Sequence, residues 1–138
     1  MYFRTGGRDE RTRYQYNYLT VQQYLSIKCQ KKEIKDFFKY NNYKKIAIYG
    51  IGELGKCVLN DLSDSEIEIS YIVDQAYLNY PEGINKIPVI GKDMISNQEK
   101  IDVIVVTVLY DFNKITDMLL SDIELERIIS LSDVVYSL

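Results

Sequence analysis

The stretch IAIYGIGELGK, Ile46 to Lys56, decides how the chain is read. An apolar run ends at Gly50, and Gly50, Gly52 and Gly55 follow in the pattern G-x-G-x-x-G. A strand running into a glycine turn and then a helix opens a βαβ unit. In such a unit the first glycine permits a tight turn after the strand. The second lets a diphosphate approach the backbone, and the third lets helix and strand pack closely. The amides of the helix N-terminus then face the phosphates, and the helix dipole adds partial positive charge. Gly50, Ile51, Gly52, Glu53, Leu54 and Gly55 are therefore the candidate cofactor-binding residues of the loop.

Downstream of this loop the elements alternate. KIAIY is a buried strand, and Leu54 to Leu62 reads as a helix with Leu54, Val58, Leu59 and Leu62 on its apolar side. IEISYIVD is a second strand. QAYLNYPEGIN is a loop punctuated by Pro81 and Gly83, IPVI a short strand, and KDMIS a weak helical turn. DVIVVTV is the most apolar run and is β-branched, which predicts a central strand buried on both faces. A helix capped by Asp111 follows, with Ile115, Met118 and Leu119 inward. RIISL is the last strand, and SDVVYSL a terminal helix capped by Ser132 or Asp133. Strands alternating with helices require a parallel sheet with right-handed crossovers. The fold class expected is α/β: a Rossmann-like, three-layer, doubly wound parallel sheet of order 3-2-1-4-5. Its ligand crevice should lie at the carboxyl ends of strands 1 and 4.

Asp74 ends the second strand, nineteen positions after Gly55. A carboxylate there accepts hydrogen bonds from the ribose hydroxyls and repels a 2′-phosphate, so NAD is favoured over NADP. The alternative for Asp74 is a plain turn residue in VDQ. Thr107, Val108 and Tyr110 follow the fourth strand and should line the same crevice. Glu53 cuts both ways. The helix dipole favours a carboxylate there, but the same charge competes with a bound diphosphate if it points inward, and the glycines then serve packing alone. Tyr110 and Lys114 match the Y-x-x-x-K spacing of short-chain dehydrogenases, as do Tyr24/Lys28 and Tyr40/Lys44. Tyr110 comes too early in the fold for that role, and no other catalytic set is legible.

Upstream, the first 43 residues form a basic, Tyr-rich helical extension, and residues 44–138 the nucleotide-binding domain. Residues 1–45 carry eleven Lys/Arg against four Asp/Glu, while residues 46–138 carry six against sixteen. A basic arm thus precedes an acidic domain, and it packs either on that body or on a partner subunit. Membrane surfaces and nucleic acid are the less favoured partners. Residues 1–10 are polar and aperiodic, which predicts disorder. From about Arg11 to Tyr40 the pattern is helical, as two short helices or one broken one. Tyr14, Tyr18, Val21 and Leu25 form an apolar stripe, and Asn41-Asn42 is the breaker. Tyrosine suits an interface that stays partly wet, so the stripe either covers the domain behind it or makes a homodimer. The chain has no histidine and no C-x-x-C pair, which argues against a metal site. Cys29 and Cys57 are expected as small buried hydrophobes. The N-terminus shows no signal-peptide pattern, and a cytoplasmic location is expected.

Taken together, YKKIAIYGIGELGK, YIVDQ, GINKIPVIG, KIDVIVVTVLYDFNKI and IISLSDVVYSL resemble the small Rossmann-like domains of bacterial capsule and cell-surface polysaccharide proteins. They are similar to the N-terminal nucleotide-sugar-binding domain of sugar acyltransferases and to the CoA-binding-like domain of UDP-sugar 4,6-dehydratases. The resemblance covers about residues 12–138. It implies binding of NAD(H) or a nucleotide sugar through Gly50, Gly52, Gly55 and Asp74, with Thr107 beside the ligand. The acyltransferase β-helix and the dehydratase catalytic domain are absent from this chain. The resemblance thus implies a nucleotide-binding module. Its alternatives are a partial epimerase or dehydratase completed by another chain, and an interaction protein acting through its basic arm.

Overall fold

The computed structural model describes residues 10–138, so the disorder expected before them lies outside the described residues. Two helices come first, α1 (Glu10–Cys29) and α2 (Ile34–Tyr40). The break between them holds Lys31 at φ 60°, a left-handed conformation that ends a helix. Asn41 caps α2, and Asn42 at φ 58° turns the chain into the sheet.

The sheet elements then alternate with helices: β1 (Lys45–Tyr49), α3 (Glu53–Leu62), β2 (Glu68–Val73), β3 (Val89–Ile90), β4 (Val103–Val106), α4 (Phe112–Leu119), β5 (Ile128–Ser130) and α5 (Leu131–Tyr136). Short 3-10 turns cover Tyr77–Asn79, Lys92–Asn97 and Leu125–Arg127. All neighbouring strands are parallel, in the order β3-β2-β1-β4-β5. This is the doubly wound, Rossmann-like arrangement expected from the alternation. Its edge strands are its shortest, which limits unpaired backbone.

Side chains alternate across the strands with period two, so the sheet has two cores. Ile46, Ile48, Ile72, Val103 and Val105 face one layer. There they meet Val58, Leu59 and Leu62 of α3 and Leu131, Val134 and Val135 of α5. Ala47, Tyr49, Tyr71, Ile104 and Val106 face the other, against Ile115 and Leu119 of α4. The segment before β1 adds Ile27, Ile34 and Phe38 to the first core, all nearly or fully buried. Burying such a side chain is worth about 2 kcal/mol, so the second half of the extension is part of the body's core.

Three of the four residues of the Tyr14–Tyr18–Val21–Leu25 stripe face outward, Val21 alone lying beside the glycine loop. Tyr14, Tyr18 and Leu25 are 65%, 63% and 61% exposed, and Thr20, Tyr24 and Ile27 make the inward face instead. Both cysteines are exposed rather than buried. Asp111 stands at the N-cap of α4 but makes no capping bond with its side chain. The cap of α5 is Ser130, in a capping box with Asp133, upstream of the positions expected. At the amino end of the sheet, Asp102 accepts the amides of Lys44 and Lys45 at 2.8 and 2.9 Å, tying β1 to β4. Those bonds hold its carboxyl below the usual aspartate range. Among the described residues no helix is long and apolar enough to cross a membrane.

Candidate functional site

The carboxyl ends of β1, β2 and β4 meet at the glycine loop, and each glycine there has a different physical reason. Gly50 has φ +98°, and a Cβ on it would stand 2.7 Å from both the Thr107 hydroxyl and a Val108 methyl. Gly55 lies in the first turn of α3, where a Cβ would come within 2.0 Å of the Gly50 carbonyl oxygen. The fold therefore requires both. Gly52 differs. Its φ is −73°, which any residue adopts, and a Cβ there would meet nothing within 4 Å. It is the N-cap of α3, with no side chain to bond the first-turn amides.

The neighbours of the loop hold it in place. Thr107 is buried, and its hydroxyl faces the carbonyl oxygens of Tyr49 and Gly50 at 2.9 and 3.0 Å. One hydroxyl proton serves both acceptors. Asp74 accepts the Ile51 amide on one oxygen at 2.8 Å and the Ala76 amide on the other at 2.7 Å. Its carboxylate thus joins the glycine loop to the end of β2. The Ile51 side chain is buried in the first core, and Leu54 packs partly against it. Glu53 is exposed at the start of α3.

Two adjoining cavities flank this loop. One, about 390 Å³, is bounded by Gly52, Glu53, Leu54 and Gly55, by Thr107 to Asp111, and by Asn17 and Val21 of α1. The other, about 300 Å³, is bounded by Tyr49, Gly50 and Asp74 on one side and by Asp111, Lys114 and Met118 on the other. Val108 and Asp111 line both. The Tyr49 phenol is pushed up by burial first, and then by the carboxylates of Asp74 and Asp111. Lys114 is the one cation among the described residues that bound either cavity. No group of three or more acidic or thiol side chains is gathered as metal ligands among the described residues.

The structure thus brings together all the sequence-predicted residues: Gly50, Ile51, Gly52, Glu53, Leu54, Gly55, Asp74 and Thr107. It adds Asn17, Val21, Asp111 and Lys114, which sequence reading did not assign to the site. From sequence, Asp111 reads as a helix cap and Lys114 as half of a dehydrogenase-like spacing. Asn17 and Val21 arrive from a helix far upstream, and no local pattern announces such a contact. Other hollows lie away from the loop, beside Phe37, Tyr40 and Leu138 and beside Tyr71 and Arg127.

No curated protein matches the chain. Residues 42–129 match the family model described as C2185-like, N-terminal. The matched segment contains the glycine loop, Asp74, Thr107 and Asp111, while α1 and α2 both precede it. Because the match spans more than half of the sequence, the chain belongs to the C2185-like, N-terminal family.

Proposed function

We propose that the chain is a nucleotide-binding module. It holds the diphosphate of NAD(H) or of a nucleotide sugar against the N-terminus of α3, and it acts in bacterial cell-surface polysaccharide or nucleotide-sugar metabolism. Gly52 carries the reading. The fold accounts for Gly50 and Gly55, but neither backbone strain nor a close neighbour accounts for Gly52. A missing side chain at the mouth of a crevice, over uncapped amides, suits a phosphate that must reach those amides. Asp74 supports NAD over NADP, since its carboxylate beside the loop repels a 2′-phosphate. The test is calorimetric titration of the wild-type chain and Gly52→Ala with NAD, NADP and UDP-N-acetylglucosamine. NAD or the UDP-sugar should bind the wild type, and the alanine should weaken that binding at least tenfold. Absence of binding by all three would overturn the proposal.

A second reading concerns the exposed stripe of α1, and its proposed partner is a second copy of the chain. From Tyr14 to Ile27 there is no charged residue, although 27% of the chain is charged. An uncharged, Tyr-rich helix face can be buried between copies without desolvating any charge.

A further inference from the structure

Tyr71 stands in β2 with its ring in the second core, only 2% exposed. Buried phenols normally find a hydrogen-bond partner. The Tyr24 hydroxyl has one, donating to Asp61 at 2.6 Å. The Tyr71 hydroxyl has none among the described residues, and it is not sealed in the core. It opens into a cavity of about 290 Å³ on the α4 side of the sheet, at the end where the chain enters β4 and β5. Phenylalanine would fill the same space in the core with no polar atom to satisfy, so packing does not explain the hydroxyl.

Ile95, Ile101 and Ile123 form the apolar floor of this cavity. Five charged residues line it, and three of them are compensated. Glu99 pairs with Lys45 at 3.1 Å. Arg127 pairs with Glu124 and donates from Nη1 to the Ile101 carbonyl at 2.8 Å. Lys100 and Asp122, both exposed at the rim, have no ion pair among the described residues. The Asp122 carboxylate accepts only from the neighbouring Ser121 hydroxyl, at 3.3 Å. Burial first, and then the charge of Asp122, push Tyr71 up to about 12, so at neutral pH its hydroxyl is a donor.

One unpaired cation, one unpaired carboxylate and one unpaired phenol thus meet over an apolar floor. We infer that this cavity binds a small zwitterion, a free α-amino acid with an apolar side chain. Its carboxylate accepts from the Lys100 ammonium and the Tyr71 hydroxyl, and its ammonium donates to Asp122. Its side chain rests on the isoleucines. A phosphate or simple carboxylate would leave Asp122 facing an anion, and a simple amine would leave Lys100 facing a cation. The volume lies near the lower end of ligand pockets, about 300 Å³, which suits an amino acid rather than a dinucleotide. The site is independent of the nucleotide reading, since the glycine-loop cavities lie at the other end of the sheet.

The test is amide NMR titration of the isotope-labelled full chain with L-valine, L-leucine, L-isoleucine and L-methionine. At least one should bind saturably and shift the amides of residues 95–101 and 122–127, leaving those of residues 50–55 in place. Analogues of the bound amino acid without its ammonium or without its carboxylate (isocaproate and isoamylamine for leucine) should bind at least tenfold more weakly. Tyr71→Phe keeps the ring in the core and should weaken binding about tenfold, the loss of one hydrogen bond to a charged group. Lys100→Gln and Asp122→Asn should each weaken it as well. Failure of all four amino acids to shift those amides would overturn the inference. So would equal binding of either singly charged analogue, tighter binding of inorganic phosphate, or an affinity that Tyr71→Phe leaves unchanged.

Discussion

Gly52 and Gly55 look alike in the motif, yet the structure assigns them opposite sensitivities. An alanine at Gly55 would press its Cβ against the Gly50 carbonyl at 2.0 Å, and backbone, not a flexible side chain, would have to move. Overpacking of that kind costs about 3 kcal/mol. An alanine at Gly52 meets open space at an allowed φ. It loses a little as an N-cap and gains a little by restricting the unfolded chain, for a net change within about 1 kcal/mol. Chemical denaturation should therefore show Gly55→Ala strongly destabilised and Gly52→Ala near wild type; equal losses would contradict this assignment. The spacing of the glycines was legible in sequence, but their separate roles were not. The roles depend on Thr107 and Val108, which approach the loop only through the pairing of β4 with β1. Asp74 teaches the same. Its place at the end of β2 was legible. Its bonds to Ile51 and Ala76 depend on how β2 lies beside the loop.

At the scale of elements, the strands were the most readable. VIVV is buried along its whole length and sits between β1 and β5, as an unbroken β-branched run implies. Helix α1 was the least readable, because two of its faces carry plausible apolar spacing. The face chosen by the fold combines Thr20, Tyr24 and Ile27, and a threonine in that set hides it from a hydrophobic count. The other face remains exposed and holds Tyr14, Tyr18 and Leu25. If that face joins two copies, Tyr18→Lys should shift the wild-type dimer to monomer in sedimentation velocity without lowering stability, since the residue makes no core contact. A monomeric wild type at high concentration would contradict the homodimer reading.

Across the whole molecule, the alternation of elements was enough to order the sheet, because crossover handedness leaves few alternatives. The placement of the N-terminal segment was not legible, since nothing local shows that α1 settles between α3 and α5. Its docking includes one of several buried phenols. Tyr24 is raised by burial, then by its hydrogen bond to Asp61 and that carboxylate's charge. Tyr71, only 2% exposed, is pushed up to about 12 by burial and by Asp122. Tyr49 is raised as well, chiefly by burial. An unfolded tyrosine ionises near about pH 10, so above that pH the unfolded chain releases these protons first. The stability from the three neutral phenols is complete below about pH 10 and falls as pH rises through their folded values. An alkaline titration should show the last phenolate absorbance appearing together with loss of the circular-dichroism signal. Full ionisation with the fold intact would contradict the burial of these rings.

The central claim is that the crevice at Gly52 receives a nucleotide diphosphate. The most direct measurement is calorimetric titration of NAD and UDP-N-acetylglucosamine into the wild type and into Gly52→Ala, with both proteins first shown to be equally folded. Saturable binding to the wild type, weakened at least tenfold by the single methyl group, is the result predicted. No binding to the wild type, or binding that the alanine leaves unchanged, would contradict the claim and leave Gly52 a bystander in its own loop.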